Sequence, residues 1–201
     1  MNKYECFPIG SLSFNEYSVV PLREEDVYSI MNWRNAQIDI LRQKKFLTSE
    51  DQKKYYTEII SPSFKKVFPN QLLFSYLYKG SCIGYGGLVH ISWEDRRAEL
   101  SFVVDDKRAS DKNIYKQDFE TFLNLMKYAA FEIIKFNRIF TETYSIREFH
   151  INIIESSGFL FEGQLREHVI INNKKCHSLI HGIIHSDYEM NRTSNTSIII
   201  M

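Results

Sequence analysis

The stretch from Cys82 to Asn113, CIGYGGLVHISWEDRRAELSFVVDDKRASDKN, holds the residues whose types and spacing speak most directly of chemistry. Two apolar runs flank a polar turn at Glu94-Asp95, and a charged loop then opens a long helix. The first N–H groups of a helix lack intrahelical partners, and the macrodipole favours anions there, so such a junction suits a diphosphate. Lys107, Arg108 and Lys112 put cations beside it. The glycines that let backbone approach a phosphate are missing, and Asp111 adds a like charge. Asn113, and less readily Asp111, can adopt the positive φ such a loop needs. His90 ends a strand and titrates near neutrality, as a proton carrier must, although a solvated strand-end histidine is at least as common.

His177, His181 and His185 share one strand face because their spacing is even, with Cys176 nearby. Ligands four residues apart on a strand lie about 13 Å apart, too far for one ion, so no metal is expected. Tyr55, Tyr56, Phe64, Phe68, Phe74, Tyr76 and Tyr78 could stack bases, but no basic stripe accompanies them. With 25 basic and 25 acidic residues the chain is formally neutral, which removes the main electrostatic argument for nucleic acid. Cys6, Cys82 and Cys176 form neither a disulfide framework nor a zinc pattern, so a cytoplasmic setting is expected. No run approaches the roughly 20 apolar residues of a membrane span or the form of a signal peptide.

These residues need elements to position them. The pattern predicts a strand over 15–21, a helix over 24–35, and a second helix from a Thr48 cap to Ile60, ended by Ser61-Pro62. Strands follow over 71–78, 81–90 and 97–104, with Lys79-Gly80 as a hairpin turn. A helix over 115–135 places Phe119, Phe122, Leu123 and Met126 on one face. A strand over 138–144, a helix over 146–156 stopped by Gly158, and strands over 160–171 and 174–184 joined at Asn172-Asn173 complete the order. One domain is expected over 1–188, with a flexible tail over 189–201.

VPLREED (20–26), WRN (33–35), IGYGGLVHISWEDRRAELSF (83–102) and ESSGFLFEGQLREH (155–168), in that order of elements, resemble the GCN5-related N-acetyltransferase family. The resemblance covers about residues 12–188 and is closest to the branch that acetylates ribosomal protein termini and nucleotide-linked amino sugars. It implies an α+β fold: a central mixed sheet of about seven strands, splayed by a bulge, with helices on both faces. It further implies acetyl-CoA, or another acyl-CoA, as donor. The backbone of Phe102, Val103 and Val104 would bind the pantetheine arm as an added strand. The loop with Lys107, Arg108, Lys112 and Asn113 would hold the diphosphate.

Acetyl transfer needs a base for the amine, a donor for the developing oxyanion and an acid for the thiolate. Family members often keep a carboxylate at the position of Glu99, which makes it the first choice of base, ahead of His90 and Asp95; an arginine partner is the structural alternative. The family's tyrosine acid aligns with Ile154, so Tyr144 or Ser145, and more distantly His150, must serve. Trp33, Arg34, Arg42 and Gln43 would line the acceptor side, where a guanidinium could clamp a diphosphate; equally, Trp33 could pack in the core and Asn35 could cap the helix. The implied activity is acetylation of a small amine, a nucleotide-linked amino sugar of surface polysaccharide being first choice. A protein N-terminus as acceptor and a catalytically silent binding module are the alternatives, and a homodimer is compatible with either.

Overall fold

The computed structural model describes residues 2–191 and 198–200. Strands β1 (Leu12–Phe14) and β2 (Tyr17–Pro21) form a hairpin, and a 3-10 turn leads into helix α1 (Val27–Ala36). Helix α2 (Ser49–Tyr55) starts at a capping box between Thr48 and Asp51. It continues through a π turn (Tyr56–Ile60) into α3 (Ser61–Ser63). Pro62 therefore lies inside the helical segment rather than ending it: the wider π turn before it accommodates a residue with no N–H to give. Strands β3 (Leu72–Tyr78), β4 (Ser81–Ser92) and β5 (Arg97–Val104) form a meander. Lys79 and Gly80 both have positive φ, 51° and 79°, as a tight hairpin requires.

The segment after β5 is helical sooner than its sequence predicts. Helix α4 (Asp106–Ser110) precedes α5 (Lys112–Tyr128), which runs into a π turn (Ala129–Ile133). Then come β6 (Arg138–Tyr144), α6 (Glu148–Ser156), β7 (Leu160–Ile171), β8 (Lys174–Ile184), α7 (His185–Asn191) and β9 (Ile199–Ile200). Asn172 and Asn173 turn β7 into β8 at φ 48° and 61°, and Gly158 closes α6 at φ 91°.

The strand order is β7-β8-β6-β5-β4-β3-β2-β1-β9, nine strands rather than seven. The additions, β1 and β9, are three and two residues long, too short for a period-two pattern to show. The tail expected from 189 onward is corrected at its described ends. Glu189–Asn191 complete α7, and Ile199 and Ile200 pair with Ser13 and Leu12. Residues 192–197 and 201 lie outside the described residues.

All neighbouring strands are antiparallel except β5 and β6, which run parallel and pair only over Arg97–Glu99 against Arg138–Phe140. Beyond Glu99 the two strands separate, leaving a wedge in the sheet. Beside it the β4–β5 register slips between Val89 and Ser92, and His90 takes φ 50° at the slip.

Side chains alternate along β5. Phe102 faces α5, 4.8 Å from the Phe119 ring and 4.7 Å from Phe122. Gly86 lets that helix come close: a Cβ there would lie 2.8 Å from Phe122 Cζ and would collide with the Ser101 carbonyl. Tyr85, paired with Val103, is on the opposite face with α1, where Arg34 bonds its hydroxyl.

Two tethers fix α5. Asp118, fully buried, accepts from Arg108 Nε (2.7 Å), Arg108 Nη2 (2.8 Å) and the Tyr17 hydroxyl (2.9 Å). Lys127 Nζ donates to the Ser157 carbonyl at 2.9 Å, and burial pushes its pKa down to about 8. Replacing Asp118 by Ala removes the buried carboxylate that ties partly exposed Arg108 and Tyr17 to α5. The expected loss is about 1–3 kcal/mol in urea unfolding, and an unchanged midpoint would contradict it. For Lys127 the folded pKa lies below the ordinary 10.5. Below pH 8 both states hold the proton and the folded state carries the full burial penalty. From pH 8 to 10.5 only the unfolded chain holds it, so stability rises with pH, by about 1.4 kcal/mol per unit at most. The stability difference between wild type and Lys127→Met is expected to grow in favour of wild type over that window.

Candidate active site

The wedge between β5 and β6 opens into a cleft of about 250 Å³ that passes through the sheet. Its lining combines side chains from both faces. On the α1 face are Glu99 of β5, Glu142 and Tyr144 of β6, and Arg34 and Arg42; on the α5 face are Phe102, Phe119, Arg147 and His150.

Glu99 is the buried carboxylate of the first group, with 6% of its side chain exposed against 69% for His90. Its Oε1 meets Arg42 Nη2, and its Oε2 is 3.9 Å from His90 Nε2. Arg42 also reaches Glu142, Nη1 to Oε2 at 3.8 Å. One guanidinium therefore bridges two carboxylates from the two separating strands. Glu142 Oε1 is buried without a hydrogen-bond partner, 3.6 Å from His168 Nε2. An ionised carboxylate is an acceptor only, so this oxygen retains capacity for a donor.

Tyr144 is buried in the same cleft. Burial raises its pKa, Arg42 opposes that and Glu142 adds to it, so the phenol keeps its proton at neutral pH. On the opposite face the Tyr115 hydroxyl is 2.7 Å from His150 Nδ1 and accepts from Arg147 Nη2 at 3.0 Å. Burial, Arg147 and His181 hold His150 well below the ordinary histidine range. It is neutral, its ring stacked on Phe119 at 4.2 Å.

WRN acts as a positioning motif. Trp33 is buried and donates Nε1–H to Asp105 Oδ2 at 3.1 Å, so it anchors the end of β5 rather than lining the cleft. Asn35 does not cap α1; its Oδ1 accepts from Leu47 N–H (2.8 Å) and its Nδ2 donates to Leu47 O (2.9 Å). Arg34 donates to the Tyr85 hydroxyl and to Gln43 Oε1 (2.9 Å), while Gln43 Nε2 donates to Asn35 (2.9 Å). Gln43 thus supports Arg34 and Asn35 and does not itself line the cleft. Together these bonds hold the segment that carries Arg42 over the wedge. Asp95 stays in the β4–β5 turn, bonded to Ser92 Oγ at 2.8 Å. Ile154, where the family acid aligns, is fully buried in the core.

The wedge edge offers backbone groups to an extended arm. Asp105 N–H donates to Ile83 O, so by alternation the backbone groups of Val103 face β4, and those of Phe102 and Val104 face the wedge. The Val104 carbonyl already accepts from Gln37 Nε2 at 2.7 Å. The backbone groups of Phe102 and the N–H of Val104 therefore remain as contacts for an added strand.

The loop beyond does not fit a diphosphate. Asp105 Oδ1 takes the N–H groups of Lys107 (2.8 Å) and Arg108 (3.3 Å). Asp111 Oδ1 takes those of Asn113 (2.9 Å) and Ile114 (3.1 Å). Arg108 is turned to Asp118, and Lys112 Nζ lies 5.5 Å from the Phe149 ring centre. Asp111 has φ −93°, and Asn113 is not among the positive-φ residues, so no left-handed turn opens this loop. Aspartate is a strong N-cap, which is why the short helix α4 and the capped start of α5 replace an anion cradle.

His177 Nδ1 accepts from Glu167 N–H (2.8 Å), His181 pairs with Glu155 (3.2 Å), and His185 belongs to α7. Among the described residues no cluster of three or more potential ligands could hold a metal ion. No helix among them is long and apolar enough to cross a membrane.

A family model described as acetyltransferase (GNAT) domain matches residues 19–180, more than half of the chain. The chain belongs to that family, and acetyl-CoA is the donor its members use. Its fold is shared with a chimera of the Vibrio cholerae spermidine N-acetyltransferase (TM-score 0.73, 20% identity, 88% of this chain and 99% of that one). The V. cholerae spermidine N-acetyltransferase in complex with CoA and spermine gives a TM-score of 0.74 at 18% identity, covering 87% and 99%. A probable GNAT acetyltransferase from Chromobacterium violaceum gives 0.71 at 14%, covering 90% and 89%. Comparison with curated proteins found no match.

If Glu99 takes the amine's proton, Glu99→Gln lowers kcat by roughly 10²–10⁴-fold with the fold intact. Tyr144→Phe lowers it by about 10²-fold if the phenol protonates the leaving thiolate. Steady-state turnover checks both, and unchanged turnover removes the residue from its role.

Proposed function

We propose that this N-acetyltransferase acylates a primary amine of a small acceptor carrying more than one positive charge, the chemical class of the polyamines. One observation carries the reading. Two carboxylates, buried Glu99 and the partly buried Glu142, face the same cleft across a single guanidinium, and Glu142 Oε1 has no hydrogen-bond donor. An alkyl ammonium is a donor whose charge complements these carboxylates. The V. cholerae spermidine N-acetyltransferase, which binds spermine in one of its structures, agrees with it.

The residues divide the work as follows. Glu142 holds a cationic end of the acceptor. Glu99 takes the proton from the reacting nitrogen, and His90, exposed and 3.9 Å away, passes it to water. Tyr144 supplies a proton to the leaving sulfur. Acetyl-CoA brings the acetyl group as a thioester.

The nucleotide-linked amino sugar draws support from Arg34 and Arg42, which line the cleft. Both guanidiniums are committed, Arg34 to Tyr85 and Gln43, Arg42 to the two glutamates, which leaves less for a sugar diphosphate. A cytoplasmic setting is supported by three unpaired cysteines.

Thiol release with acetyl-CoA and a panel of spermidine, an N-terminal peptide and a UDP-linked amino sugar tests the reading. Spermidine is expected to show at least tenfold higher kcat/KM than the sugar nucleotide. Arg42→Gln, which removes a cation competing for the same carboxylates, is expected to lower KM for spermidine severalfold. Preference for the sugar nucleotide or the peptide would overturn the polyamine assignment, and no transfer to any amine would leave a silent binding module.

A further inference from the structure

The wedge and the loop beyond it disagree about what they can hold. The wedge presents free strand edge at Phe102 beside an open cleft. The loop, where a donor's nucleotide would place its diphosphate, is filled by the chain itself. Four N–H groups there, those of Lys107, Arg108, Asn113 and Ile114, are bonded to the Asp105 and Asp111 carboxylates. Arg108 makes two charge-assisted bonds to fully buried Asp118, so turning it outward would leave a buried carboxylate without its cation. Trp33 Nε1 holds the other oxygen of Asp105, so that cap is fixed from behind.

We propose that donor recognition in this protein ends at the pantetheine arm. The protein takes S-acyl pantetheine thioesters as a class, and the nucleotide of CoA adds little to binding. A diphosphate approaching α5 meets the Asp111 carboxylate where a cradle would offer N–H groups. Two fixed anions cannot share those donors; of the loop's cations, Arg108 is held by Asp118 and Lys112 lies over the Phe149 ring, which leaves exposed Lys107 to offset them. Coenzyme A is then one source of the pantetheine thioester, and a pantetheine arm carried without the nucleotide serves nearly as well. This rests on the reading of this protein as an acyltransferase that takes its donor at the Phe102 strand edge, and the calorimetry tests it without any acceptor amine.

Titration calorimetry with CoA, pantetheine and 3′-phospho-ADP on the full-length protein separates the contributions. Pantetheine is expected to bind within tenfold of CoA, with 3′-phospho-ADP at least tenfold weaker than pantetheine. CoA binding more than tenfold tighter than pantetheine would overturn the proposal. The Asp111→Asn variant keeps a good N-cap and removes the charge. It is expected to tighten CoA at least threefold and leave pantetheine unchanged; unchanged CoA affinity would overturn the role given to Asp111. Kinetics provide the second readout: S-acetylpantetheine should support turnover with a KM within tenfold of acetyl-CoA. Pantetheine bound with no amine acetylated would defeat the proposed function and leave this inference standing. Binding of neither ligand would defeat both.

Discussion

Everything in the site depends on the three-residue pairing between β5 and β6. Parallel strands hydrogen-bonded along their whole length would close the sheet. Here the ladder stops after Glu99 and Phe140, and the strands part. The parting exposes strand edge at Phe102, opens a passage between the two faces, and leaves Glu99 at the apex, the last paired residue of β5. The β4 slip at His90 sits beside the same apex. The two irregularities mark where backbone partners are given up, and both lie at the cleft. Ring packing of Phe102 on Phe119 and Phe122 props the α5 side, and WRN holds the α1 side, so the wedge is framed rather than loose.

The two faces differ in electrostatic character. On the α1 side Glu99, Glu142 and Arg42 form a charged group with one carboxylate oxygen unsatisfied. On the α5 side Tyr115 and His150 are neutral at physiological pH: burial raises the phenol and lowers the imidazole, and Arg147 bonds the phenol oxygen. Among the described residues the one charged group lining that side is the Arg147 guanidinium, where the α1 side carries two carboxylates, so the two reactants meet different charge on either side of the apex.

Much of this was legible in the sequence. The meander, α5, the Asn172-Asn173 hairpin and the Gly158 stop carry strong local signals in turn chemistry and apolar period. IGYGGL and the RRAEL run were enough to place Glu99 on the strand beside the cleft. Other features carried no local signal. Glu142 and Arg147 take part only because β6 and α6 fold beside β5, and nothing in their own neighbourhoods sets them apart. Gln37 and Gln43 became second-layer supports for the same reason. The missing glycines around Arg108 and Asp111 could be read as a weakened phosphate loop. That the loop closes on its own aspartates could not, because capping competes with anion binding through the same N–H groups and only geometry shows which prevails. The short strands β1 and β9 and the passage of the helix through Pro62 were hidden because two or three residues, or one π turn, leave no periodic trace.

The wedge as the seat of the pantetheine arm is the central claim, and backbone alternation along β5 makes it measurable residue by residue. Amide hydrogen exchange with and without saturating acetyl-CoA reports it. The Phe102 amide, turned to the wedge, is expected to become protected, while the Val103 amide, turned to β4, stays unchanged. Exchange at Phe102 that is the same with and without the thioester would contradict the account.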